Sequence, residues 1–265
     1  MGSTTFLETP IRHASDVIRL FEGSGCTSVG PRNAIREKLD ITLMSAGRPV
    51  TLVNKGAVVG LLEPQSQTLN LLFEDGRATS ADMVYPAQTT FAISGKASSV
   101  SGHFNPRFFS LTVGNGEARE LTLYRATAAT GRVTAGSVEG NVVTASGADR
   151  IAEPWALLTL VVTPTVGDPL TFVAQADAHG DFTIPVSHAP ALDKDAPSPS
   201  YSSTLTIQRV PLETESGFPN PDAASALQIE SLVTNDSFGP SITFDLVPGM
   251  KTTLVSAGEE SLVVQ

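Results

Sequence analysis

Short runs of β-favourable residues, separated by glycine and proline, fill most of the chain. Several runs alternate between apolar and polar positions; in Glu120–Arg125, for example, Leu121 and Leu123 fall on one face. A period of two is typical of half-buried antiparallel strands. The predicted strands are Val50–Val53, Ala57–Leu62, Thr68–Phe73, Thr89–Ser94, Phe108–Val113, Glu120–Arg125, Gly140–Ala145, Ala156–Thr163, Leu170–Gln175, Asp181–Val186, Ser203–Arg209, Leu227–Val233, Ser241–Leu246 and Lys251–Val255.

Two segments near the N-terminus favour short helices. Ser15–Phe21 places Val17, Ile18 and Phe21 on one side of a helix, and its first residue is a candidate N-cap. Ala34–Lys38 predicts one further helical turn. Both segments are shorter than a helix that is stable alone, so both would have to pack against the sheets.

Turn-forming residues separate the predicted strands. Glycine accepts the positive φ that a tight hairpin needs, so Asn54–Gly56, Gly114–Gly116 and Ser256–Gly258 are each predicted to join neighbouring strands. Glu74–Gly76 is predicted to end the strand at Phe73. These turns indicate a chain of hairpins.

The pattern predicts an all-β fold of two tandem β-sandwich or barrel-like domains, with one or two short helices near the N-terminus. The strand pattern breaks at Ala126–Gly131, which places an N-terminal β-domain with a short helix at 1–126 and an immunoglobulin-like β-sandwich domain at 131–265. Ser187–Ser200 and Pro211–Pro221 are predicted to be exposed loops, where such proteins make contacts.

Composition narrows the function classes. The formal net charge of −10 and a pI near 4.8 disfavour binding to nucleic acid, because an acidic surface repels phosphates. No run of about 20 apolar residues exists, so no membrane span is expected. The N-terminal sequence lacks a basic start and a long apolar run, which predicts no secretory signal unless a native leader has been removed.

The single cysteine, Cys26, excludes an intramolecular disulfide. A thiolate nucleophile needs a base or a positively charged neighbour, and the sequence places none of the four histidines near Cys26. These histidines are His13, His103, His179 and His188. An unreactive thiol is therefore the favoured interpretation.

Three further segments carry candidate chemistry. Gly23–Gly30 resembles a phosphate loop but lacks the following Lys-Ser/Thr pair, so a flexible turn after the first helix is favoured over a ligand loop. Asp177, His179 and Asp181 are spaced like metal ligands, but a hairpin turn there would separate them. Trp155 heads an apolar strand and is predicted to lie in the core. We therefore predict no catalytic, cofactor-binding or metal-binding residue, no cofactor and no enzymatic activity.

A motif within residues 131–186 resembles a known family. Gly131-Arg132-Val133 is followed by LLTLVVT at 157–163 and by FVAQADAHGDFTIPV at 172–186. The second segment contains an Asp-x-x-Gly-x-Phe turn formed by Asp177, Gly180 and Phe182. This pattern resembles the carboxypeptidase regulatory-like family, a small immunoglobulin-type sandwich.

The resemblance implies a fold and a set of local roles. Asp177 can accept hydrogen bonds from backbone amides, Gly180 can take a positive φ, and Phe182 can enter the core. Ile151–Pro154 is an insertion relative to the family pattern. Such domains are usually non-catalytic scaffolds, so the resemblance implies no active site.

Residues 1–125 resemble the small β-domains of contractile-tail and phage baseplate proteins in composition. The resulting hypothesis is a structural, non-catalytic subunit of a phage-type particle, made in the host cytoplasm and located in the virion. Its expected partners are other protein subunits, including copies of itself in the assembly. The alternatives are an adhesin-like or carbohydrate-contacting module that lacks its leader, and an enzyme whose site is assembled from distant loops.

Overall fold

The structure is a computed structural model that describes residues 15–56, 58–62, 68–74, 77–84, 90–115, 117–130, 136–146, 149–190, 192 and 199–265. The regular secondary structure in these ranges consists almost entirely of β-strands. The helices in the same ranges are two short 3-10 segments, η1 (Thr127–Ala129) and η2 (Pro221–Ala223). The protein is therefore all-β with several sheets, as the alternating pattern predicts.

The first half of the described chain, residues 15–130, contains three sheets. Its strands are β1 (Ser15–Glu22), β2 (Gly25–Cys26), β3 (Leu39–Ala46), β4 (Thr51–Asn54), β5 (Val58–Leu62), β6 (Thr68–Glu74), β7 (Arg77–Val84), β8 (Phe91–Ser99), β9 (Arg107–Val113) and β10 (Ala118–Leu123). One sheet has the order β10-β1-β5-β4, a second has the order β3-β8-β9, and β6 pairs with β7.

The predicted helix over Ser15–Phe21 is wrong, because this segment is strand β1. Asp16, Ile18 and Leu20 are buried while Arg19 is exposed, so burial follows a period of two. β1 lies between β10, to which it is parallel, and β5, to which it is antiparallel. Pairing along both edges satisfies the backbone of β1, whereas a seven-residue helix is marginal in water.

The second predicted helical turn, at Ala34–Lys38, is also wrong. Ala34 forms an isolated antiparallel bridge with Phe21. The Ile35 amide donates to the Leu20 carbonyl at 3.0 Å, and the Ile35 side chain is buried in the first core. The segment therefore pairs with the C-terminal end of β1 as extended chain.

The larger two sheets of the first half share one hydrophobic cluster. The four-stranded sheet contributes Ile18, Leu20, Val59, Leu61, Leu121 and Leu123, and the three-stranded sheet contributes Leu39, Ile93, Ala97, Phe109 and Val113. Leu121 and Leu123 are both buried, as their alternation predicts.

The second half, residues 136–265, is built on two sheets. Its strands are β11 (Ser137–Ser146), β12 (Asp149–Ala152), β13 (Leu157–Thr163), β14 (Leu170–Gln175), β15 (Asp181–Pro185), β16 (Tyr201–Arg209), β17 (Ser225–Ala226), β18 (Ile229–Glu230), β19 (Phe238–Gly239), β20 (Ile242–Leu246), β21 (Lys251–Thr253) and β22 (Leu262–Val264). In one sheet, β12 and β15 pair along one edge of β11, and β21 and β22 pair along the other. The other sheet has the order β17-β16-β13-β14-β2, with β20 also pairing with β16.

These two sheets share the second hydrophobic cluster. The sheet of β11 contributes Val138, Val142, Phe182, Ile184, Leu262 and Val264, and the sheet of β13 contributes Leu158, Leu160, Val162, Phe172, Leu205 and Ile242. Burial of this apolar surface is the main stabilising term for this part of the fold.

The turn predictions have mixed outcomes. Asn54–Gly56 is confirmed as a hairpin, since β4 and β5 are antiparallel and Gly56 has φ of 81°. Gly114 does not begin a hairpin, because β9 and β10 belong to different sheets, and Gly116 lies outside the described residues. Ser256–Gly258 is not a hairpin between β21 and β22 either, because both strands run parallel to β11. Asp75 and Gly76 lie outside the described residues.

The two halves are joined by backbone and side-chain contacts. The short strand β2 of the first half pairs with β14 of the second. Elsewhere along the contact, the Phe108 amide donates to the Pro219 carbonyl at 2.8 Å, and Arg107 forms an ion pair with Asp222. The segment Pro211–Pro221, predicted to be an exposed loop, therefore contacts the first half through the Pro219 carbonyl. The domain boundaries at 126 and 131 stay a prediction.

Candidate functional site

A cleft of about 470 Å³ opens where the first half meets the second. Most of residues 22–33 line one side of it, together with Arg125 and Thr130. The second half contributes Ala174, Thr183, Pro185, Ser187 and His188. This volume falls in the range of about 300–1,000 Å³ that small-molecule sites occupy.

The glycine-rich segment Gly23–Gly30 forms much of this wall, so the prediction of a flexible turn after a helix is wrong. Gly25 has φ of 92°, a conformation that favours glycine, and it begins β2. The Thr27 amide donates to the Thr171 carbonyl at 2.8 Å. The Thr171 amide in turn donates to Ser28 Oγ at 3.0 Å. The segment is thus fixed to β14.

Cys26 and His188 both line the cleft, a proximity that the sequence does not reveal. Cys26 Sγ lies 3.5 Å from Ser28 Oγ, and His188 Nδ1 lies 3.1 Å from Ser187 Oγ. Within the described ranges, no hydrogen bond joins the thiol to an imidazole. The pair therefore lacks the contact by which a histidine activates a cysteine nucleophile.

The charged residues of the cleft are Glu22, Arg32 and Arg125. Arg125 donates from Nε and Nη2 to the two carboxylate oxygens of Glu22, at 2.7 and 2.9 Å. Hydrogen bonding to Glu22 raises the pKa of Arg125. Arg32 ion-pairs with Glu120, which does not line the cleft.

A separate polar cluster surrounds the carboxylate of Glu37, and sequence reasoning missed it. Ser99 and Ser101 donate to this carboxylate, and His103 Nδ1 lies 2.7 Å from Oε2. Partial burial opposes ionisation, but the hydrogen bonds from Ser99, His103 and Ser101 lower the pKa of Glu37. Both serines bond to the carboxylate and not to the imidazole, so the cluster does not have the connectivity of a hydrolase triad.

The turn at Asp177–Asp181 has the local geometry that the motif implies. Asp177 Oδ1 accepts from the amides of His179 and Asp181, at 2.8 and 3.1 Å. Gly180 has φ of 81°, and Phe182 is buried in the second core. The turn connects β14 to β15 in the opposite sheet, so the predicted hairpin there is wrong.

The remaining histidines and the metal-like spacing do not assemble a site. His179 is exposed at the tip of the turn, and His13 lies outside the described residues. Among the residues that the structure describes, no group of three or more His, Cys, Asp or Glu side chains is placed to hold a metal ion.

Trp155 is not in the core, contrary to the sequence prediction. It is half-buried, with φ of 60°, in the turn that precedes β13. Its amide donates to the Asp177 carbonyl at 2.9 Å, and its carbonyl accepts from Gln175 Nε2 at 3.1 Å. These two hydrogen bonds hold a left-handed conformation that is uncommon for a bulky residue.

Two carboxylates of the second half, those of Glu153 and Glu230, are buried away from the cleft. Glu153, from the insertion Ile151–Pro154, accepts two hydrogen bonds of 2.8 Å from Arg209. Burial opposes its ionisation, but the bonds from Arg209 and Thr144 lower the pKa of Glu153. Glu230 is also buried, and its Oε2 has no hydrogen-bond partner among the described residues.

No protein-family model and no curated protein matches the chain. In the described ranges, none of the helices has the length and apolar character that crossing a bilayer requires.

Proposed function

We propose that this chain is a structural, non-catalytic subunit of a phage-type particle, a tail or baseplate component of the virion that acts through protein–protein contacts. We further propose that its halves are tandem β-sandwiches, the second of immunoglobulin type and similar to the carboxypeptidase regulatory-like family. The core shared by the sheets of β11 and β13 supports the sandwich assignment. The Asp177–Asp181 turn supports the family resemblance.

The observation that carries the functional proposal is a set of exposed apolar loops at one end of the second half. Strand register pairs Thr163 with Ser202 and Tyr201 with Leu246, and it pairs Ser137 with Pro185. The connections 164–169, 186–200 and 247–250 consequently leave the two sheets at the same end.

Large apolar side chains are exposed on these loops. Val166 is 84% exposed and Met250 is 59% exposed, and Val247 is also exposed. Exposed apolar groups on loops of a rigid scaffold are typical of contact surfaces. The opposite end of the half carries Gln175 and Ala176, whose carbonyl oxygens accept from Asn105 of the first half. The loops 164–169 and 247–250 thus lie at the end away from this contact, whereas Ser187 and His188 of the third connection line the cleft with the first half.

This arrangement supports a subunit whose two halves are fixed together while one end binds a neighbour. The neighbours would be other proteins of the particle and further copies of this chain. Edge strands such as β12 and β20 provide additional backbone hydrogen-bonding groups for such contacts.

The loop end is tested with Val166→Asp in the native source. The variant is expected to remain folded, because Val166 makes little contact with the core, and to be depleted several-fold from the fast-sedimenting particle fraction. Val233→Asp is the matched control, since Val233 is 88% exposed on a different loop, at 231–237. Equal incorporation of both variants at the wild-type level would refute the assignment of the loop end.

A carbohydrate-contacting module is the second candidate, and the half-exposed side chain of Trp155 favours it. Aromatic faces commonly contact sugars, and the backbone of Trp155 is held by hydrogen bonds to the Asp177 carbonyl and from the Gln175 side chain. A glycan screen read by the fluorescence of this single tryptophan tests it. A spectral shift with one glycan class, together with loss of retention on an immobilised form of that glycan in Trp155→Ala, would favour this candidate over the structural one.

A further inference from the structure

The cleft between the halves differs in charge from the rest of the protein. Its lining holds two arginines, Arg32 and Arg125, and one carboxylate, Glu22, which gives a sum of +1 with histidine neutral. The whole chain carries a formal charge of −10. A positive lining in a strongly negative protein is a local feature that favours an anion over a cation.

Both arginine guanidiniums lie over aromatic rings. The guanidinium of Arg32 lies 4.7 Å from the centroid of Phe21, and that of Arg125 lies 5.4 Å from the centroid of Phe104. A guanidinium that is already positioned loses less conformational freedom when it binds, and its planar donors match carboxylate and phosphate oxygens.

The existing ion pairs leave room for a ligand. The pair between Arg32 and Glu120 is exposed on both sides, so solvent screens it and it contributes little. Arg125 keeps its two bonds to Glu22, which fix its orientation. A ligand anion therefore competes with one weak surface pair and not with a buried one.

We propose that this cleft binds a small oxyanion, a phosphate or carboxylate group, through Arg32 and Arg125. The glycine-rich segment Gly23–Gly30 supplies the adjoining wall, and Ser24, Thr27 and Thr183 supply hydroxyl groups around it. The site is independent of the proposed role in a particle, and either proposal can fail without the other.

Cys26 provides a direct test, because it is the only thiol of the chain and it lines the cleft. The second-order rates of an anionic, a cationic and a neutral methanethiosulfonate reagent are measured on the full chain at about 0.15 M salt, where screening acts over about 8 Å. The neutral reagent corrects for the exposure and intrinsic reactivity of the thiol. We expect the anionic reagent to exceed the cationic one by about fivefold after this correction.

The same reaction measures binding. Inorganic phosphate and citrate, each at constant ionic strength, are added before the neutral reagent. Slower modification with phosphate identifies a phosphate site, and slower modification with citrate identifies a carboxylate site. Both the anionic preference and the protection should fall in Arg32→Gln and persist in the control Arg36→Gln, whose arginine is exposed outside the cleft.

Glu120→Gln gives a second variant with the opposite expectation, in case Arg32→Gln does not fold. Removing the competing carboxylate frees Arg32, so the preference for the anionic reagent and the protection should both increase. A faster cationic reagent, or no protection by either anion in the wild-type chain, would overturn the proposal.

Discussion

Arg107 offers the sharpest test of how the two halves are held together. Its side chain is 3% exposed, and it donates to the carbonyls of Phe108 and Thr122 and to the carboxylate of Asp222. Burial lowers the pKa of Arg107, and the nearby Asp222 opposes that shift. Asp222 itself is 61% exposed, so water can solvate it when the arginine is removed.

The substitution Arg107→Met keeps most of the side-chain volume and removes every donor. Two carbonyl oxygens then lose a buried partner, at a cost of about 1–3 kcal/mol each. Part of this loss is offset because a buried charge no longer has to be desolvated. We therefore expect the free energy of unfolding to fall by about 3 kcal/mol.

Urea unfolding at neutral pH, followed by the fluorescence of the single tryptophan, measures this change. The control is Arg119→Met, because Arg119 also donates to a carbonyl, that of Thr112 at 2.7 Å, but in an exposed position where water can replace it. Its pair with the exposed Glu117 contributes little, so this variant should cost less than about 1 kcal/mol. Equal losses in the two variants would refute the structural role assigned to Arg107.

Two further predictions concern the second half. Burial opposes the ionisation of Glu153, but hydrogen bonds from Arg209 outweigh it and lower the pKa of this carboxyl. The ionised carboxylate therefore stabilises the fold at pH values above its ordinary pKa of 4.5. This stabilisation is lost as the pH falls through the pKa of the folded state. Thermal unfolding of Glu153→Gln should accordingly start lower at neutral pH and change less on acidification than wild type; identical pH profiles would contradict this. Gly180→Ala should cost more than Gly217→Ala in urea, because both have positive φ but only the Gly180 Cβ would meet a backbone atom, the Val142 oxygen, at 2.4 Å; equal costs would argue against the clash.

Local pattern predicted the strands well where the pattern was two-periodic. Leu170–Gln175 was placed with the observed bounds, and most other predicted runs overlap observed strands. The strand predicted at Leu227–Val233 is observed only as the shorter β18. It ends there because Ser231 begins a turn, in which its hydroxyl accepts from the Val233 and Thr234 amides. Leu39–Ala46, which forms β3, was missed; its register with β8 shifts between Leu43 and Ser45.

The errors arose where a distant partner decides the structure. Ser15–Phe21 fits a helical spacing, and its pairing with β5 and with β10, about a hundred positions away, makes it a strand. The glycines at Gly114–Gly116 predict a turn, but whether the next strand joins the same sheet depends on how the two sheets pack against each other.

The cleft could not be predicted for the same reason. Its lining comes from residues 22–33, from Arg125 and Thr130, and from residues of β14, β15 and the loop after them. Nothing in the sequence indicates that Cys26 and His188 line one cavity. The glycine-rich segment Gly23–Gly30 was the available signal, and it was equally compatible with a turn.

Sedimentation of a lysate from the native source, with this protein detected in every fraction, tests the central claim most directly. We expect recovery in a fast-sedimenting particle, together with partner proteins in fixed stoichiometry. Recovery only as a slow, free species would contradict the structural role.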